Sequence, residues 1–106
     1  MIFCVEDDNN IRDLLVYTLE TTGFHAKGLA DPLELWQALA QVEPELILLD
    51  IMLPGEDGYS ILDKLKKSSG TRDIPVIMVT AKEAEFDKVR ALEAGADDYI
   101  TKPFGM

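Results

Sequence analysis

A second cysteine is missing. Cys4 stands alone, which excludes an internal disulfide and fits a reducing compartment. It lies inside an apolar run, so it reads as a buried, inert thiol rather than a nucleophile. Histidine is as scarce: His25 is the only one, and a lone histidine in a weak strand pattern is a surface residue. No apolar run approaches the ~20 residues of a membrane helix. Glu6, Asp7 and Asp8 come too early to leave room for the apolar core of a signal peptide. Positive charge is in short supply, with 10 Lys and Arg against 20 Asp and Glu for a net charge of -10. A field of that sign repels nucleic acid and anionic lipid, so neither is an expected direct partner. Internal repeats, linkers and low-complexity segments are absent. A single cytoplasmic domain is the default for the 106 residues, with ordinary globular composition at 47% hydrophobic and 28% charged.

What is present centres on Leu46-Ile47-Leu48-Leu49-Asp50. Four apolar residues run unbroken into a carboxylate. The run is too continuous for an amphipathic helix and reads as a strand buried on both faces, in the middle of a parallel sheet. Such a strand delivers its last side chain to the carboxyl edge of the sheet, where open α/β sheets place their ligands. The following Ile51-Met52-Leu53-Pro54-Gly55-Glu56-Asp57-Gly58 is a loop punctuated by Pro and Gly.

The rest of the chain alternates. Met1 to Val5 is a first strand. Asn9 or Asn10 can cap a helix whose Ile11, Leu14, Leu15, Thr18 and Leu19 face inward, with Gly23 as its stop; Asp8 is either a cap or a helper to a ligand. Phe24 to Leu29 is a weaker second strand. Asp31-Pro32-Leu33-Glu34 opens a helix with a capping box and a first-turn proline, and Leu35, Trp36 and Leu39 face inward. Ile61, Leu62 and Leu65 mark a third helix, capped by Asp57, with Lys64, Lys66 and Lys67 at its negative end. Ile74 to Val79 is a fourth strand ending in Thr80-Ala81. A helix with Phe86, Val89 and Leu92 inward stops at Gly95. Ala96 to Thr101 is a fifth strand running into Lys102-Pro103-Phe104, and Asp97 and Asp98 fall in a surface turn. This alternation implies a doubly wound five-stranded parallel sheet with right-handed crossovers.

Several of these strands bring polar residues to one edge: Glu6 and Asp7 after the first, Asp50 after the third, Thr80 after the fourth, Lys102 after the fifth. Three carboxylates brought close repel one another and hold oxygen ligands for a hard cation, Mg²⁺ or Mn²⁺. A carboxylate is also a nucleophile toward phosphorus, and phosphoryl transfer asks mainly for positioning and charge neutralisation. The ammonium of Lys102 and the hydroxyl of Thr80 supply the latter.

The ordered blocks Val5-Glu6-Asp7-Asp8, Asp50-Ile51-Met52-Leu53-Pro54-Gly55 with Gly58, Val79-Thr80-Ala81 and Asp97-Asp98-Tyr99-Ile100-Thr101-Lys102-Pro103-Phe104 resemble the receiver domain of two-component response regulators across the whole chain. The last block, preceded by Gly95-Ala96, looks most like the OmpR/PhoB class. The resemblance implies a CheY-like sheet of order 2-1-3-4-5 over residues 1–106 and a phosphoacceptor switch rather than a turnover enzyme. It implies that Asp50 takes a phosphoryl group from a sensor histidine kinase. It implies a metal held by Glu6 (through water), Asp7, Asp50 and the backbone carbonyl of Met52. Thr80, Ala81 and Lys102 contact the phosphoryl group, Tyr99 swings inward behind Thr80, and a cis peptide before Pro103 aims the lysine. Met52 and Lys82 stand where the family tunes phosphate lifetime. The family's fifth helix and a DNA-binding effector domain are not in the chain, so the resemblance also implies a thinly covered sheet face and an incomplete surface for receiver–receiver pairing.

Other chemistries fit less well. A haloacid dehalogenase-type phosphatase needs a second acid two residues after its nucleophile, where Met52 stands, and its nucleophile follows the first strand. A flavodoxin-like nucleotide site needs a Ser/Thr/Gly-rich loop where Glu6-Asp7-Asp8 would repel phosphate. A receiver-like module that works through protein contacts without phosphorylation is the remaining alternative.

Overall fold

In the computed structural model, the described residues are 1–53, 55–80 and 85–101, without the side chains of Thr80, residues 85–88 and Thr101. Among them, β1 (Ile2–Val5), α1 (Asn9–Thr21), β2 (Ala26–Leu29), α2 (Pro32–Leu39), β3 (Leu46–Asp50), α3 (Gly58–Lys67), β4 (Val76–Thr80), α4 (Glu85–Glu93) and β5 (Asp98–Thr101) follow in strict alternation. The strands form one parallel sheet of order β2-β1-β3-β4-β5. The chain reverses its direction of travel across the sheet between β1 and β3, and that switch point opens a crevice at their carboxyl ends.

Side chains alternate across each strand, so β1 feeds two cores. Phe3 and Val5 join Leu35 and Ala38 of α2, Ile61, Leu62 and Leu65 of α3, Ala91 of α4, and Ile47, Leu49, Val76 and Met78 of the central strands. Ile2 and Cys4 meet Leu15 of α1 on the other side, with Ile11, Val16, Leu19, Leu46 and Leu48 packed around them. This second cluster is smaller. Leu46, Leu48 and Ile77 are only half-buried and Ile100 is exposed, so the expectation of a strand buried equally on both faces holds for one face of β3 and is relaxed on the other.

Local chemistry sets the helix ends. The cap of α1 is Asp8, not Asn9 or Asn10: its carboxylate accepts from the amides of Asn10 at 2.9 Å and Ile11 at 3.1 Å. A full negative charge suits the positive end of the helix better than a neutral carboxamide, and the Asn9 side chain is engaged by Arg12. Asp31 accepts from the amide of Glu34 at 2.9 Å, and Glu34 returns a carboxylate to the amide of Ala30 at 3.2 Å. Asp57 caps α3 through the amide of Ser60 at 2.9 Å. Lys66 does more than meet the helix dipole. Its ammonium donates to the carbonyls of Ile74 (3.0 Å) and Arg72 (3.3 Å) and lies 3.7 Å from Asp97, whose carboxylate accepts from the amide of Val76 at 2.8 Å. The turn before β5 is thereby tied to the start of β4.

Some expected inward residues face out. Leu14, Val89 and Leu92 are exposed. On α1 the buried stripe runs Ile11–Leu15–Leu19, and Leu14 sits a sixth of a turn or more outside it. On α4 it is small Ala91 that meets the sheet; Phe86 falls among the residues whose side chains are not described. The strands also start later than their apolar runs. Phe24 donates its amide back to Leu19 at 3.0 Å and belongs to the exit of α1, Ile74 is held in a turn by Thr71 at 3.0 Å, and Ala96 bonds back to Ala91 at 3.1 Å.

Candidate functional site

β1 and β3 are hydrogen-bonded neighbours, with Val5 opposite Leu49. The next residues on each, Glu6 and Asp50, therefore emerge side by side at the carboxyl edge. Asp7 follows in the loop to α1. One carboxylate oxygen from each of Glu6, Asp7 and Asp50 lies within 4.8 Å of the others. Glu6 is 2% and Asp50 3% exposed, while Asp7 is open to solvent. Two charges at that separation repel by about 3 kcal/mol in a medium of effective dielectric about 20. Burying a pair of them demands compensation.

Backbone amides supply part of it. The amide of Asp8 donates to Glu6 Oε1 at 3.2 Å, and the amide of Met52 donates to Asp50 Oδ1 at 3.1 Å. The backbone around the cluster is fixed by Glu6 N to Leu29 O at 2.9 Å and Ile51 N to Val79 O at 3.2 Å. Gly58 closes the other side of the loop. Its amide donates to Ile51 O at 2.8 Å, and a Cβ on it would stand 2.6 Å from the carbonyl oxygen of Asp50 and 2.7 Å from Ile51 Cα. Only a hydrogen fits there. The requirement is one of space, and it locks the start of α3 against the peptide that carries Asp50.

The donor set is all oxygen, two of the three acids are buried, and the third faces water. That combination fits a small hard cation that keeps several waters and an open position for phosphate oxygens. Nitrogen or sulfur ligands, which would favour softer metals, are not part of this cluster.

The structure thus brings together Glu6, Asp7 and Asp50, with the Met52 amide bonded to Asp50 and the Met52 side chain exposed. Thr80 ends β4, immediately after Val79, the partner of Asp50 in the ladder. Tyr99 lies on β5 opposite Met78 and is buried in the larger core. The Thr80 side chain, Ala81, Lys82, Lys102 and the peptide before Pro103 lie outside the described residues. One participant was not anticipated. Arg12, on the first turn of α1, donates to the carbonyl of Glu6 at 2.8 Å. The available signal was its place as the lone cation between Glu6 and Asp13.

Cys4, buried on β1 two residues before Glu6, is no part of this chemistry: burial pushes its thiol up to about 12.

Comparison with known proteins agrees with the geometry. The family model for the response regulator receiver domain matches residues 2–106. The phosphate regulon transcriptional regulatory protein PhoB of Escherichia coli is 50% identical over 103 residues, covering 97% of this chain and 45% of PhoB. The DNA-binding dual master transcriptional regulator RpaA of Synechocystis is 43% identical over 106 residues, covering 99% of this chain and 44% of RpaA. The chain thus spans less than half the length of these relatives. The receiver domain of the Francisella response regulator 1452 superposes with a TM-score of 0.89 at 30% identity, covering 97% of this chain and 84% of that one. With a parallel sheet of order 2-1-3-4-5, an acidic cluster at its switch point and these relatives, the chain belongs to the response regulator receiver domain family.

Proposed function

We propose that the chain is a phosphoacceptor switch in which Asp50 takes a phosphoryl group from a phosphohistidine of a sensor kinase in the presence of Mg²⁺ or Mn²⁺. The observation that carries this is the convergence of Glu6, Asp7 and Asp50 within 4.8 Å at the switch point of the sheet. An Asp50 carboxylate oxygen attacks phosphorus, the bond from phosphorus to the imidazole nitrogen breaks, and the histidine leaves neutral, taking up the proton it lacks. Glu6 (through water), Asp7, Asp50 and the Met52 carbonyl would hold the cation, which would supply charge neutralisation for the phosphoryl group.

The protein's own part is positioning. The Met52 amide donates to one oxygen of Asp50 and so fixes the orientation of the carboxylate that acts as nucleophile. Asp7, open to solvent, would offer its carboxylate to a hydrated ion. In the family's manner, Thr80 and the Ala81 backbone contact the transferred group, Lys102 pairs with it, the peptide before Pro103 aims that lysine, and Tyr99, already inward in the larger core, is the aromatic coupled to Thr80. A charge of about -2 added at one buried point then biases a two-state arrangement. Downstream, PhoB and RpaA are transcriptional regulators by name, which supports a role for this switch in controlling a DNA-binding partner domain. This surface itself repels DNA at a net charge of -10. Receiver–receiver pairing on phosphorylation belongs to the same proposal. Among the described residues no helix is long and apolar enough to cross a membrane.

Intact mass after incubation with Mg²⁺ and acetyl phosphate tests the assignment. A single Mg²⁺-dependent phosphoryl adduct that Asp50→Asn lacks supports it. A folded chain with no adduct points instead to a module that works by protein contacts alone.

A further inference from the structure

Asp7 presents a difficulty. It is the exposed member of the acid cluster, so no packing fixes its direction, yet a small octahedral ion is intolerant of misplaced ligands. Arg12 resolves it. One guanidinium nitrogen donates to the carbonyl of Glu6 at 2.8 Å and reaches the carbonyl of Asp7 at 3.5 Å; the other holds the side chain of Asn9. These two carbonyls belong to the peptide planes on either side of Asp7. Clamping both restrains the backbone dihedrals of Asp7, and with them the direction in which its Cβ leaves the loop toward the cluster.

Arg12 is itself confined. Its stem crosses β2 over Gly28, where a Cβ would stand 2.9 Å from Arg12 Cγ and 3.0 Å from Cδ. Those atoms lie near the root of the side chain and cannot swing away as a flexible tip would. Val16 Cγ2, 3.4 Å from the same point, closes the channel. The absence of a side chain at Gly28, on the edge strand β2, thereby sets the path of the arginine.

We propose that Arg12 is a positioning residue for the cation pocket, clamping the loop that carries Glu6 and Asp7 from a stem seated on Gly28. This rests on the assignment of the acid cluster as the Mg²⁺ site. The sign of the effect separates clamping from simple electrostatics. A positive charge beside the pocket repels a divalent ion, so its removal alone would tighten Mg²⁺ binding. Loss of a clamp loosens it, by tenfold or more if Arg12 matters as outer-shell partners of metal ligands commonly do.

The test is calorimetric titration of the 106-residue chain with MgCl₂ at constant ionic strength. Wild type, Arg12→Gln, Arg12→Lys, Gly28→Ala and Asp7→Asn are compared, with a thermal melt of each. The expected order is wild type tightest and Arg12→Lys intermediate, since an ammonium can hold the Glu6 carbonyl but not Asn9 as well. Arg12→Gln is weaker by about tenfold. Gly28→Ala, which keeps the charge and moves the stem, shifts the same way. Should Arg12→Gln fail to fold, Gly28→Ala and Arg12→Lys decide. Unchanged or tighter binding in the folded Arg12 and Gly28 variants, with Asp7→Asn weakened, overturns the clamp and leaves the site standing. Asp7→Asn binding as well as wild type removes the site, and the clamp with it.

Discussion

Alanine at Gly58 puts the packing around Asp50 to the test. The position opens α3, where alanine is the better helix former by up to about 1 kcal/mol. Were there room, Gly58→Ala would stabilise the protein. There is none: the new Cβ would stand 2.6 Å from Asp50 O, 2.7 Å from Ile51 Cα and 3.1 Å from Met78 Cε. Two of the three neighbours are backbone. Reaching ordinary contact, which begins at 3.4 Å, requires the α3 terminus and the Asp50 peptide to part by roughly 0.8 Å. Overpacking of this kind costs about 1–3 kcal/mol, and the Gly58 N to Ile51 O bond, worth about 1 kcal/mol, stretches with it. The net expectation is a loss of about 1–3 kcal/mol, with melting lowered by about 4–8 °C for each. Because the moving peptide carries Asp50, Mg²⁺ binding and phosphoryl uptake weaken as well. Urea denaturation and Mg²⁺ titration read both effects. Gly70→Ala is the control, since a Cβ there meets nothing within 4 Å. A Gly58→Ala protein at least as stable as wild type, with unchanged Mg²⁺ affinity, would refute the close approach.

Three further outcomes follow from single groups. Cys4 is buried and its thiol is raised to about 12, so it resists iodoacetamide at pH 8 in the native chain and labels at once in urea; because its pKa is raised on folding, stability falls as pH climbs from about 9 toward 12. Asp8→Ala removes the acceptor of two amides at the start of α1 and lowers stability by about 1 kcal/mol in urea titration. Glu56 is held below the usual carboxylate range, first by the hydrogen bond from Lys64 and then by that from Ser60. Its stabilising share is therefore present above the ordinary carboxylate pKa and lost as pH falls through the lowered one. Glu56 carries a surface pair, so Glu56→Gln flattens that acid limb only slightly, as pH-dependent melts would show.

The unbroken Leu46–Leu49 run ending on Asp50 marked the central strand and the site together, because burial and position at the sheet edge share one pattern. Asp31-Pro32-Leu33-Glu34 announced a helix start whose bonds are local, and local bonds are readable in a line of residues. Leu14, Val89 and Leu92 are exposed against expectation because helical spacing tells which residues share a stripe but not how wide a stripe the neighbours cover. The tie from Lys66 to the turn before β4, and the bond of Asp97 to Val76, join segments that are distant in sequence and carry no periodic mark. The role of Arg12 carries no sequence signature for a different reason. Its partners are backbone carbonyls, which every residue has, and its path depends on what Gly28 lacks.

The claim on which all this turns is that Asp50, among twenty acidic residues, is the one that carries phosphorus. Borohydride reduction after incubation with Mg²⁺ and acetyl phosphate converts an aspartyl phosphate to homoserine, and tandem mass spectrometry of the digested chain reads its position. The account predicts homoserine at residue 50 alone, and none when Mg²⁺ is withheld. Homoserine at Asp7 or any other carboxylate, or its formation without a divalent cation, would contradict it.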